Sequence, residues 1–166
     1  MVHVKHEKWL TSFVTENLCI EGIFREPTEE ELDATWEFIK LDEPQIADLY
    51  NLVHIYQPDA VLRDNPSKRV WIGGREAPKG GLGLLGKLDN LLWQHTDKGN
   101  RKQNDPWSAH AEYEFLHPFT DGNGRSGRAF WANIMYKKGY DFRYNFLQMY
   151  YYQTLNRFSE DQTEST

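Results

Sequence analysis

The stretch His117 to Arg128 reads HPFTDGNGRSGR, and its residue types suit phosphate chemistry better than a core. Gly122 and Gly124 can adopt backbone angles that other residues avoid and so turn successive N–H groups toward one point. A helix starting at the same place would add the positive end of its dipole, which makes an anion cradle. Arg125 and Arg128, three apart, share a helical face and offer planar forks that match phosphate oxygens, and Asn123 can bond a further oxygen. Asp121 is a hard oxygen ligand, and Mg²⁺ beside a polyphosphate is commonly held through one carboxylate, the phosphates and water. A nucleotide with Mg²⁺ is therefore expected. His117, fixed at a helix end by Pro118, has a side chain suited to taking a proton from a hydroxyl that attacks phosphorus. A lone helix-end histidine or a lone arginine pair would be ordinary surface; their conjunction points to phosphoryl chemistry, where positioning and charge stabilisation supply most of the rate.

Helices must hold these residues in place. Thr28 and Glu31 form a capping-box pattern ahead of Leu32, Trp36 and Ile39, and this helix should stop near Asp42 to Pro44. Ile46, Leu49, Leu52, Val53 and Tyr56 make a second apolar stripe closed by Pro58. The turn residues around RVWIGGRE predict a small β-hairpin over about residues 68–78. Leu84, Leu88, Leu91 and Leu92 resume helical spacing, followed by a polar loop. Asp105 and Pro106 then start a helix with Trp107, Ala111 and Phe115 on one face, and it ends at His117. From about Ser126 another helix carries Ala129, Phe130, Ile134 and Met135 up to Gly139, so the motif loop is braced between two central helices. A last helix is expected over FRYNFLQMYYYQTLNRF and a frayed tail over 159–166.

The chain has 166 residues, 39% of them apolar, with six Trp, nine Tyr and nine Phe, which suits one domain with an aromatic-rich core. A formal charge of −6 gives the chain no overall reason to seek nucleic acid or an anionic membrane. Its single cysteine, Cys19, is expected as a small buried residue in a reducing compartment. The first residues, MVHVKHEKWL, lack the apolar run of a signal peptide, and no later segment has the length of a membrane span, so a cytoplasmic protein is expected. No Cys or His pair has zinc spacing, His3 and His6 are incidental, and His110 reads as a packed core histidine.

HPFTDGNGRSGR resembles the signature of the Fic family, His-Pro-Phe-x-Asp/Glu-Gly-Asn-Gly-Arg-x-x-Arg, at every specified position. The resemblance implies a mainly α fold, a compact helical bundle with the active-site loop between two central helices and a β-hairpin flap, as one domain over residues 1–158. It implies transfer of AMP from ATP to a Ser, Thr or Tyr hydroxyl of a protein target, with pyrophosphate released. His117 then resembles the general base, Asp121 the Mg²⁺ ligand and Phe119 the apolar anchor of the loop. Gly122, Asn123 and Gly124 resemble the anion hole at the α-phosphate, with Arg125 and Arg128 on the outer phosphates. Val70, Trp71, Ile72 and Gly73 would be the flap edge on which a target segment pairs; from composition alone, this would be a surface hairpin with Trp71 packed on the core. TENLCIEGIF resembles the inhibitory pattern Ser/Thr-x-x-x-Glu-Gly/Asn, with Asn17 in the place of Ser or Thr, on a helix over about residues 7–22. It implies that Glu21 pairs with Arg128 and competes with the nucleotide. Related activities transfer another nucleotide or a phosphate group, the kinase-like relatives having lysine at the position of Gly124. A further reading is a nucleotide-binding or target-binding module without transfer, such as a toxin–antitoxin component.

Overall fold

A computed structural model of the chain describes residues 8–140 together with Leu155. The expected last helix, apart from Leu155, lies outside the described residues, as do the 159–166 tail, His3 and His6. Six helices and one hairpin follow in order: α1 (Lys8–Ile20), α2 (Glu29–Lys40), α3 (Ile46–Tyr56), β1 (Trp71–Ile72), β2 (Arg75–Glu76), α4 (Leu82–Gln94), α5 (Pro106–Leu116) and α6 (Asn123–Lys137). The fold is mainly helical, as the Fic resemblance implies.

Local chemistry sets the ends of these helices. Thr28 Oγ1 accepts the Glu31 N–H at 3.2 Å while Glu31 accepts the Thr28 N–H at 2.8 Å, the reciprocal box expected at the start of α2. Asp105 accepts the Ser108 N–H at 2.7 Å, and Pro106 opens α5 where its missing N–H costs nothing. α1 closes in a Schellman turn: Gly22 has φ 75°, Ile23 N–H donates to Leu18 C=O at 3.0 Å and Gly22 N–H to Cys19 C=O at 2.9 Å. That turn fixes Glu21 as the last residue of the helix end.

α6 is the central element and packs against α5, α2, α3 and α1. Its Ala129, Phe130, Ala132 and Ile134 are wholly buried, with Tyr113, Phe119, Leu88, Leu49, Ile39, Val14 and Leu18 around them. Burying an apolar side chain of this size contributes about 1.5–3 kcal/mol. The core is less aromatic than composition suggests, because none of the tryptophans is buried. Trp9 and Trp36 instead stack edge to face, as do Trp36 and Tyr136, each pair at 5.5 Å, at the rim of α1, α2 and α6.

Three local expectations are corrected. α6 starts at Asn123 and not near Ser126, because Ser126 N–H already donates to Gly122 C=O at 3.1 Å. On α5 Ala111 is buried, as expected, together with Ala109, His110, Tyr113 and Leu116, while Trp107 and Phe115 are half-buried, because α6 crosses the side that carries Tyr113. Cys19 is half-buried, since the core stripe of α1 runs through Leu10, Phe13, Val14, Asn17 and Leu18 and leaves position 19 beside it. Among the described residues, no helix is long and apolar enough to cross a membrane.

One fixture of the fold had no sequence signal. Asn133 Nδ2 of α6 donates to the carbonyls of Phe38 at 3.3 Å, Ile39 at 3.0 Å and Leu41 at 2.8 Å, closing the end of α2. Asn133→Ala removes that donor from buried carbonyls and is expected to cost about 1–3 kcal/mol in urea unfolding; a change below about 0.5 kcal/mol would show that the cap is dispensable.

Candidate active site

The motif loop is built from its ends inward. His117 terminates α5 in the left-handed conformation, φ 50°, with its N–H donating to Tyr113 C=O at 3.0 Å. Pro118 stops the helix, and the chain then runs antiparallel to the segment before the hairpin. Arg63 N–H donates to Pro118 C=O and Thr120 N–H to Val61 C=O, both at 2.9 Å, and Leu62 and Phe119 bridge between them. Phe119 is fully buried and anchors the loop, as expected. The Asn123 side chain then takes both polar groups of Phe119, accepting its N–H and donating to its C=O, each at 2.9 Å. Asn123 is 2% exposed, so its side chain pins the loop and is not offered to a ligand oxygen.

The two glycines assigned to the cradle act for different reasons. Gly122 has φ 76°, and a Cβ there would lie 3.2 Å from Val53 Cγ1, so the left-handed turn is both required and tightly packed. Gly124 is helical. Its reason is space: a Cβ would run into the Glu21 carboxylate and lie 3.0 Å from both terminal nitrogens of Arg128. The first N–H groups of a helix have no partner within it, so the start of α6 presents donors at this point.

The structure brings Glu21 and Arg128 together. Arg128 is wholly buried, and its Nη2 donates to Glu21 Oε1 as an ion pair. Asn17, buried in α1, accepts from Arg128 Nε, and its Nδ2 donates to Arg125 C=O at 3.3 Å. Asn17 thus ties α1 to both arginines of α6 through an amide that accepts and donates at once. Arg125 turns toward α3 and not toward α1, although the two arginines are neighbours on α6. Its nitrogens reach Tyr56 C=O and Gln57 Oε1 only at 3.4 Å, and its Nε has no hydrogen-bond partner although the residue is 4% exposed. This guanidinium has donor capacity to spare. Asp121 stands exposed at the mouth, with one oxygen accepting the Gly122 N–H at 2.6 Å and lying 4.0 Å from Arg125. A single exposed carboxylate beside a helix start fits a magnesium ion held mainly by phosphates and water, and among the described residues no cluster of three His, Cys, Asp or Glu offers a closed metal cage.

His117 Nδ1 lies 3.3 Å from Glu114 C=O. A carbonyl can only accept, so Nδ1 carries the hydrogen and Nε2 the lone pair, which is the tautomer a proton acceptor needs. Burial lowers the His117 pKa to about 4, the Glu114 contact opposing and the charges of Arg63 and Arg75 assisting, with Glu21 opposing. His110 is buried in the core, as expected, and burial with the Arg128 charge lowers it to about 3.

The hairpin follows the expected span. Trp71 pairs with Glu76 and Ile72 with Arg75, antiparallel, around Gly73 with φ 59°. Trp71 is 56% exposed and lies 4.9 Å from the Arg69 guanidinium, so it does not pack on the core. Arg75 turns the other way and stacks on Phe115 of α5 at 4.6 Å. Sequence reasoning missed Arg63, which is buried beneath the hairpin, because its partners are main-chain carbonyls that no residue type announces.

A model of the Fic/DOC family matches residues 87–135, from α4 through the motif loop to the later turns of α6. That match supports a Fic domain in this chain. Fic proteins generally transfer nucleotide or phosphate groups. Searches among curated proteins and among solved structures found no match. Glu21, Arg63 and the hairpin lie outside the matched residues, so what is said of them rests on the geometry above.

Burial lowers His95 as well, to about 4, so three histidines of the chain ionise less readily folded than unfolded. The unfolded chain takes up protons first, near its ordinary histidine pKa of about 6.5. Stability is therefore full above that pH and falls as pH drops toward 4, by up to about 1.4 kcal/mol per unit for each histidine. The urea midpoint should drop steeply between pH 7 and pH 5, and His110→Gln should flatten the slope; equal midpoints at the two pH values would contradict the burial.

Proposed function

We propose that this Fic domain is an adenylyltransferase that moves AMP from ATP to a hydroxyl side chain of a protein target and is held down at rest by Glu21. The observation that carries the reading is the anion already in the cradle: the Glu21 carboxylate lies against Gly124 at the start of α6 and is paired with the buried Arg128. A triphosphate offers the same groups more charge and more oxygens. Its outer phosphates would take Arg128 from Glu21 and engage the under-used donors of Arg125, and its α-phosphate would meet the N–H groups of Asn123 and Gly124.

In the transfer, the target hydroxyl oxygen bonds to the α-phosphorus, the bond from that phosphorus to the bridging oxygen of the β-phosphate breaks, and pyrophosphate leaves. The hydroxyl proton passes to His117 Nε2, whose lone pair is available through the neutral range because burial keeps the ring unprotonated. Asp121 would hold Mg²⁺ against the phosphates, which neutralises charge developing on the leaving group. The exposed edge of Val70 to Gly73 would pair with an extended target segment and present its hydroxyl. His117 favours transfer over a purely binding role, because holding a nucleotide gives no use to a half-buried base with this tautomer.

The experiment compares the unaltered chain with Glu21→Gly, each given α-labelled and γ-labelled ATP with Mg²⁺. Label from the α position alone should appear in protein and rise at least about tenfold in Glu21→Gly, and His117→Ala in that background should abolish it while ATP still binds. Label from the γ position would make the chain a kinase. Equal α-label transfer with and without Glu21, at subsaturating ATP, would remove the inhibitory role.

A further inference from the structure

Phosphate chemistry makes no use of a second fully buried arginine, Arg63. Arg63, in the segment between α3 and β1, is 1% exposed, and its guanidinium spreads over four main-chain carbonyls. Nε donates to Lys68 at 2.9 Å, Nη1 to Leu116 at 3.2 Å and to His117 at 2.7 Å, and Nη2 to Pro78. Lys68 and Pro78 are the two roots of the hairpin. Leu116 and His117 are the end of α5, where helix carbonyls lack intrahelical donors and the dipole is negative, so a cation there is favoured. The main chain of Arg63 is tied to the same parts, its N–H donating to Pro118 C=O and its C=O accepting the Gly81 N–H, both at 2.9 Å. The returning strand is pressed onto this knot: a Cβ on Gly80 would lie 2.5 Å from Asn65 O and 3.0 Å from Arg63 O.

The planar fork matters, because only arginine has donors directed to both sides of one rigid group; lysine would gather its hydrogens at one point. We infer that Arg63 is a positioning residue that sets the spacing between the flap and His117, and hence the distance at which a hydroxyl held by the flap meets the base. This rests on the reading that the flap docks the target and His117 takes the proton. A link with one end on each of these parts acts on the transfer step and not on the nucleotide, whose cradle lies at the start of α6. A misplacement of about 1 Å at a reacting centre costs about a hundredfold in rate.

The test uses the full chain with Glu21→Gly, with and without Arg63→Lys, and reads two quantities. In the first, Arg63→Lys should lower the saturating rate of self-transfer from α-labelled ATP by about tenfold to a hundredfold, with the half-saturating ATP concentration held within about twofold. In the second, hydrogen exchange followed by mass spectrometry should quicken at least about tenfold in both 68–78 and 116–122, and stay unchanged in α3. An unchanged rate, a loss shared equally with ATP binding, or faster exchange at only one end or throughout α3 would overturn the inference. If Glu21→Gly shows no transfer at all, the function proposed above falls, and the exchange arm decides on Arg63 by itself. Should Arg63→Lys fail to fold, Gly73→Val strains only the hairpin turn, where φ is 59° and the surroundings are open. Faster exchange at 116–122 in that variant supports the link, and an effect confined to 70–77 overturns it.

Discussion

The start of α6 gathers positive potential from three sources in a place with little water: the helix end itself, Arg128 with no exposure and Arg125 with 4%. Buried cations without a counter-charge cost several kcal/mol each, so the fold needs an anion at this point. Glu21 provides one from the end of α1, and the Schellman turn at Gly22 holds it there. The carboxylate reaches the helix start only because position 124 has no side chain. On the proposed function the same constraint would govern phosphate binding: whatever binds must replace a charge the fold already requires.

Arg63 shows the opposite solution. It lies at the negative end of α5, where four carbonyls satisfy it and no acid is needed. Two buried arginines of similar exposure therefore have different uses, decided by which end of a helix they face. The one at a positive helix end is paired with an acid; the one at a negative helix end is held by carbonyls. Between them runs the motif loop, clipped to residues 61–63 on one side and pinned by Asn123 on the other, which leaves His117 little freedom.

The motif, the helix starts and the hairpin were legible because their signals are local: a Thr28 and Glu31 three apart, a proline after an aspartate, two glycines after RVWI. The pairing of Glu21 with Arg128, 107 residues apart, was legible only through the family resemblance. What stayed hidden depends on main-chain groups or on packing direction. Asn123 was read as a ligand for oxygen, but its amide matches the N–H and C=O of Phe119, and nothing in residue type distinguishes those partners. Gly124 was read as a conformational device and proves to be a spatial one. The stripe on α5 was drawn through Trp107 and Phe115, since hydrophobicity does not reveal that α6 crosses the Tyr113 side. Trp71, large and apolar, lies outward because the two-residue turn and pairing with Glu76 decide its face.

The central claim is that one anion site is shared between Glu21 and the outer phosphates of a nucleotide. Calorimetric titration of the unaltered chain and of Glu21→Gly with ATP and with AMP, both with Mg²⁺, tests it most directly. Removing Glu21 should tighten ATP by about tenfold or more, a gain of at least about 1.4 kcal/mol, and leave AMP nearly unchanged, since AMP has no outer phosphate to claim Arg128. Equal ATP affinity in the two proteins, or an equal gain for AMP, would contradict a shared site.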